Sequence, residues 1–235
     1  GALTTALLLS SAGVYAADHF NRVASFPVAL NAPDADVTSS EIITATDDGL
    51  TLIYSDSPNG GIGFIDITDP TSPKPAGYMD MGGEPTSVTA NGGKAYVAVN
   101  TSKSLTEPSG KLVVVDIAAQ SIDGEFDLGG QPDSIAHNKD NTILAIAIEN
   151  QRDEEVNDGA IPQAPTGFLT LVTLTDGAVA QENIKNVDLT GLASIGLTGG
   201  ITGRSTAAHR TGGGVAAVAE QLEPVPLLEG QRLDV

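Results

Sequence analysis

The sequence predicts an all-β protein, a β-propeller of four-stranded antiparallel blades, on three observations. A strand segment recurs at blade spacing: Met79-Asp80-Met81-Gly82-Gly83 returns 47 positions later as Phe126-Asp127-Leu128-Gly129-Gly130, and again as Val187-Asp188-Leu189-Thr190-Gly191. Short β-rich runs alternate with clusters of Gly, Pro, Asn and Asp, and almost no helical pattern follows Asp18. The runs come in matched pairs, each followed by two shorter strands, so a unit of about 47 residues holds four strands. A repeat of this size cannot bury its apolar face alone, so neighbouring units must stack.

The elements follow in order. The first pair is Leu50 to Tyr54 with Ile62 to Ile67, and the second is Ala95 to Val99 with Leu112 to Ile117. The third is Ile143 to Ile148 with Phe168 to Leu174, and the loop inside the pair lengthens from one repeat to the next. After each pair comes the Met79, Phe126 or Val187 segment. A fourth strand then follows: Pro85-Thr86-Ser87-Val88, Pro132-Asp133-Ser134-Ile135 and, less regularly, Ala193-Ser194-Ile195. Leu112 to Val115 and Ile143 to Ile146 are unbroken apolar runs, as expected of strands buried on both faces. Asp48-Gly49, Asn91-Gly92 and Asp123-Gly124 are expected in tight hairpins that need positive φ.

Three blades are legible, whereas a closed ring takes about four to eight. Residues 17–192 are expected to form the blades. In residues 193–235 the strand grammar gives way to Gly199-Gly200, Gly203-Arg204 and Gly212-Gly213-Gly214. This tail is expected to be a partial fourth blade, a true tail, or sequence read in a shifted frame. Residues 1–16 read as a secretory signal that begins part-way through, with an apolar stretch from Leu3 and the small-residue site Val14-Tyr15-Ala16 before Ala17. Export is therefore expected, to the periplasm, the cell surface or beyond. The apolar stretch is too short for a membrane span, and none is expected in the mature chain.

Composition narrows the function classes. With 30 acidic against 11 basic residues, the 235-residue chain carries a formal charge of −19. Nucleic acid is not an expected partner, because cationic side chains supply most of that affinity. The chain has no cysteine, hence no disulfide, thiolate nucleophile or cysteine zinc site. Its three histidines, His19, His137 and His209, do not sit at metal-ligand spacing. No Gly-x-Ser-x-Gly elbow, P-loop or dinucleotide fingerprint occurs, so no haem, flavin or nucleotide is expected. Aromatic residues make up 4% of the chain and tryptophan is absent, leaving few stacking platforms.

The candidate metal residues are Glu149, Asp153, Glu154, Glu155 and Asp158, packed with Asn150 and Asn157 into one inter-strand loop. Carboxylates and amide carbonyls are the oxygen donors calcium takes, although the spacing is not that of an EF-hand. The alternative is a long solvated loop, and Arg152 serves either as an anion contact or as a neutraliser. Asp34, Asp36, Asp47 and Asp48 form a second acidic group, with Asp47-Asp48-Gly49 expected as a turn. Asp66 and Asp116 are expected to close strands by bonding local backbone.

Several of these segments resemble the secreted bacterial choice-of-anchor I family. The likeness lies in Asn31-Ala32-Pro33-Asp34-Ala35-Asp36, Ser40-Glu41-Ile42-Ile43, Thr46-Asp47-Asp48-Gly49 and Gly82 to Val88. It continues in Ile148 to Gly159, Pro162-Gln163-Ala164-Pro165 and Gly167-Phe168, and covers roughly residues 22–192. The Leu-Val-Val-Val-Asp-type strand is shared by many bacterial repeat propellers. The resemblance implies an exported seven-bladed-type propeller held at the cell surface by varied C-terminal anchors. It also implies relatives labelled alkaline phosphatase or phytase-like esterase. The expected function is a binding or scaffold module, stabilised by calcium, with a protein or surface ligand as partner and self-association through an open blade edge. The alternative is a calcium-dependent phosphoesterase in which metal activates water and neutralises phosphate.

Overall fold

A computed structural model describes residues 22–161 and 163–189. The expected signal, His19, the Ala193 strand, His209 and the 193–235 tail lie outside the described residues. Twelve strands follow in order: β1 Ile43–Ala45, β2 Thr51–Asp56, β3 Gly61–Asp66, β4 Lys74–Asp80, β5 Glu84–Asn91, β6 Lys94–Asn100, β7 Gly110–Asp116, β8 Ser121–Asp127, β9 Pro132–His137, β10 Ile143–Ile148, β11 Phe168–Thr173 and β12 Ile184–Val187. They form three four-stranded antiparallel sheets, β1 to β4, β5 to β8 and β9 to β12, each an up-and-down meander. Among the described residues, helix is limited to 3-10 turns at Val28–Leu30, Val156–Gly159 and Gln181–Asn183. The all-β fold of stacked propeller blades is thus as predicted.

One expectation shifts by a strand. The Pro85 and Pro132 strands do not complete the repeat before them; they open the next sheet as β5 and β9. The recurring Asp-x-Gly-Gly is the hinge that makes this crossing. Asp80 Oδ1 accepts the Gly82 N–H at 2.7 Å, and Asp127 Oδ1 accepts the Gly129 N–H at 2.9 Å. The intervening Met81 and Leu128 are each 1% exposed, plugging the seam between blades. The second glycine is fixed by close approach. A Cβ on Gly83 would stand 2.7 Å from the Asn100 carbonyl oxygen, and one on Gly130 would stand 2.5 Å from Ile148 Cγ2.

The core is two inter-blade seams. Ile53, Ile62 and Phe64 of the first sheet pack on Val97, Val99, Val113 and Val115 of the second. On the other face, Tyr96, Ala98, Leu112 and Val114 pack on Leu144, Ile146, Ile148 and Val172 of the third. The unbroken apolar runs of β6 and β7 follow from this. Successive side chains point to opposite faces, and both faces of the middle sheet are covered.

The inner strands β1, β5 and β9 lie side by side. The Ser87 hydroxyl accepts the Ile135 N–H at 3.3 Å, and Thr89 Oγ1 meets His137 Nδ1 at 2.8 Å. His137 is therefore a strut between blades.

Turn chemistry is mostly as expected. Gly49 has φ +68, and Asp48 Oδ1 accepts the Leu50 N–H at 3.0 Å. Asp66 and Asp116 accept the Thr68 and Ala119 N–H groups at 2.8 Å. Those bonds, from the Thr68 side in one case and from Lys94 and local backbone in the other, hold both carboxyls below the usual range.

Asp123-Gly124 is the exception, for it lies inside β8 rather than in a hairpin. There Val114 faces Gly124 and Val115 faces Ile122, so Asp123 is the extra residue of a β-bulge. The bulge aims Asp123 at Lys94, 2.5 Å away, which Asp116 also holds at 2.8 Å.

Candidate functional site

The sheet meanders set which loops meet. The β2–β3, β6–β7 and β10–β11 loops share one end of the blades with the β4–β5 and β8–β9 crossings. At that end, beside the inner strands, a polar cavity of about 370 Å³ opens. Glu41, Glu84, Asp133 and Glu149 line it, with Ser57, Asn100, Gln131 and Gln151 between them and, among the described residues, no Lys, Arg or His in the wall.

Local bonds hold two of the four acids. Ser57 Oγ donates to Glu41 Oε2 at 2.8 Å, and Asn100 Nδ2 donates to Glu84 Oε2 at 2.8 Å. Asp133 and Glu149 receive no hydrogen bond on their carboxyls from the described residues. Both side chains reach solvent in the open cavity, yet the surrounding chain strips hydration from their charged forms. This crowding raises the Asp133 carboxyl, and the same crowding followed by the Asp133 charge raises that of Glu149. The frame beneath them is firm. Gln131, 8% exposed, accepts the Gln151 N–H on Oε1 at 2.9 Å, while Asn150 Oδ1 accepts the Gln131 N–H at 2.9 Å.

The sign of the pH dependence follows. An acid whose folded value lies above its unfolded value favours the protonated form in the fold, so it withdraws stability as pH rises from the ordinary carboxylate range toward the raised value. Glu149→Gln is expected to raise the melting temperature at neutral pH and to flatten its dependence on pH just above the ordinary carboxylate range. Melts from pH 4 to 7 read this, and parallel profiles for the two proteins would refute it.

Of the five acids predicted as a metal set, only Glu149 lines the cavity. Asp153 accepts the Glu155 N–H at 2.9 Å, and its own backbone is clamped by Gln163. Glu154 pairs with Arg152 at 3.0 Å, and Arg152 also donates to the Gly159 carbonyl at 2.6 Å. Asp158 sits at φ +54 in the 3-10 turn. Among the described residues, no three acidic or histidine side chains gather closely enough to hold a metal ion.

The cavity acids that sequence reasoning missed are Glu41, Glu84 and Asp133. Laying the repeats over one another offers a signal, because Ser57 and Glu149 directly follow the second strand of their sheets and Asn100 ends the second strand of its own. Glu84 and Gln131 likewise both follow the Gly-Gly hinge. Positions that repeat at one end of every blade face one mouth.

Two further clefts lie at the opposite end. One, about 310 Å³, is bounded by Lys94, Asp123, Phe126 and Asp176 to Val179. The other, about 290 Å³, lies between Thr46 to Asp48 and Ala90 to Gly93. No described helix is long and apolar enough to cross a membrane.

No curated protein matches the chain. Among solved structures, hydrazine synthase of Kuenenia stuttgartiensis is similar at 14% identity and a TM-score of 0.46, over 63% of this chain and 37% of that one. A functionally unknown protein from Desulfotomaculum acetoxidans is similar at 18% identity and a TM-score of 0.40, over 63% of this chain and 45% of that one. The chain thus spans less than half the length of either. The choice-of-anchor I domain family matches residues 42–224, more than three quarters of the sequence. The chain belongs to the choice-of-anchor I domain family.

Proposed function

We infer that this is the binding domain of an exported, surface-held protein, and that its mouth takes a positively charged ligand. One observation carries the reading: four carboxylates line a single cavity, and no basic side chain among the described residues joins them in its wall. A low-dielectric wall lined by one sign of charge focuses the field and concentrates ligands of the opposite sign. The carboxylates are spread too widely to close on a bare ion. They suit an ammonium or guanidinium group of a partner protein, or a hydrated calcium ion that keeps part of its water shell. Export is supported by the signal-like residues 1–16 and by the anchoring that names the family.

Calorimetric titration of the full chain with calcium and, separately, with a short acetylated lysine peptide tests this. At least one probe should bind at low salt. The double variant Asp133→Asn, Glu149→Gln should weaken that binding at least tenfold while keeping the fold. If neither probe binds, or if the double variant binds as tightly as the parent, the reading fails. A phosphoester reading would need metal to fill the mouth first, since its acids repel phosphate.

A further inference from the structure

One group in the wall of the mouth is opposite in character to its acids. Gln131 lines the cavity and is only 8% exposed. Its Oε1 accepts the Gln151 N–H at 2.9 Å, which fixes the amide, since the flipped form would set NH2 against N–H. Nε2 is therefore the atom left over. It donates to no described residue, and it is not among the sealed, unpartnered atoms of the fold, so it opens into the mouth. The nearby acids do not take it up. Burial alone acts on the Asp133 carboxyl, and burial followed by the Asp133 charge acts on that of Glu149, with no hydrogen bond from Gln131 in either. The Glu84 and Glu41 carboxyls are bonded by Asn100 and Ser57 instead.

Donor and acids stand together. Gln131 and Asp133 flank Pro132, and the Gln131 carbonyl accepts the Glu149 N–H at 2.9 Å. A bare cation cannot use Nε2, because the amide hydrogens repel it. A hydrated metal ion turns its water hydrogens outward, which suits the carboxylates and again leaves Nε2 without an acceptor. A ligand that satisfies the whole wall brings a cation for the acids and, close beside it, an oxygen for the amide. The N-terminus of a polypeptide has both, since its α-ammonium and its first carbonyl are separated by a single carbon. Leu105, 37% exposed, and Pro132 add an apolar patch to the same wall, suited to the first side chain. Among the described residues no Phe, Tyr or Trp lines the mouth, so a sugar ring finds nothing to stack on.

We propose that the mouth takes the free N-terminus of a partner polypeptide, its α-ammonium held by Asp133 and Glu149 and its first carbonyl by Gln131 Nε2. The inference rests on the cationic reading above and narrows it from any positive group to one that carries an adjacent acceptor. Charge-assisted bonds to the carboxylates supply most of the attraction, and the amide supplies the selection.

Calorimetric titration of the full chain at low salt compares alanyl-alanine amide with its N-acetyl form, butylamine, glucosamine, calcium and the acetylated lysine peptide. The free-terminus peptide should bind about fivefold tighter than butylamine, the share of one hydrogen bond. Acetylation should abolish its binding. Gln131→Glu keeps an acceptor for the Gln151 N–H and loses the donor. In that variant the preference over butylamine should vanish, whatever the added charge does to both affinities. A peptide that binds no tighter than butylamine or the acetylated lysine peptide overturns the proposal, and so does a preference that survives Gln131→Glu. If other cationic probes still bind in those cases, the mouth stands as a general cation site. Glucosamine binding tighter than the peptide overturns it in favour of a sugar amine. If no probe binds, the broader reading falls with it. Should Gln131→Glu fail to fold, the ranking of probes on the parent chain decides alone.

Discussion

Gly110→Ala should be among the most damaging single-methyl additions, lowering stability by about 3 kcal/mol. Gly110 opens β7 at the mouth end, and its carbonyl accepts the Leu128 N–H at 3.0 Å. A Cβ there would stand 2.5 Å from the Gly130 carbonyl oxygen and would collide with the Pro132 ring. Neither neighbour can turn aside, since one is backbone and the other a ring locked at φ. The second and third blades must therefore part where the cavity wall forms. In a chain of this size the loss reads as a fall in melting temperature of about 6–12 °C. Gly92→Ala is the control, for it has open space around it and only a φ of +59 to strain. Its cost should stay near 1 kcal/mol. If the two variants melted together, the close packing of the Gly-Gly crossing would not be what holds these blades in register.

Much of this architecture was legible because strand packing writes itself into the chain at period two and at blade length. Leu112 to Val115 shows no polar alternation because each face of β7 meets a different blade. The Asp-x-Gly-Gly hinge was visible as a repeat, but its role was not. An Asx turn and a glycine shaved for a neighbouring carbonyl are decided by tertiary approach, which composition does not encode. Asp123-Gly124 shows the same limit from the other side. The dipeptide fits a hairpin, yet the turn falls at Gln120, with φ +48, and the bulge takes Asp123.

The site was harder to read, because local acid density and spatial convergence are different things. Asp153 and Glu154 stand close in sequence and spend their carboxylates on the loop itself. Glu41 and Glu149, more than a hundred residues apart, share one wall.

Ile53→Ala and Ile146→Ala should each cost about 2–5 kcal/mol, and together they ask whether the blades unfold as one. Both side chains are 0% exposed, but they belong to different seams, Ile53 to the first and Ile146 to the second. Sites this far apart that share no partners add, so a single cooperative unit would show one transition, displaced by the sum in the double variant. Stacked repeats, however, touch only their neighbours, and their stability is a sum of unit and interface terms. If that sum governs here, Ile146→Ala loosens the third blade while the first seam stays closed. Denaturant melts would then split into two steps, and hydrogen exchange would quicken in β9 to β12 before β1 to β8. Ile53→Ala would produce the opposite order, releasing β1 to β4 first. The mouth distinguishes the two outcomes as well. Its wall draws Glu41 from the first blade, Glu84 from the second, and Asp133 and Glu149 from the third region, so it survives only while every seam is closed. Ligand binding should therefore be lost at the first step of either variant, even where most of the sheet remains folded. Binding that outlasted the loss of the third blade would sever the link between seam packing and the mouth.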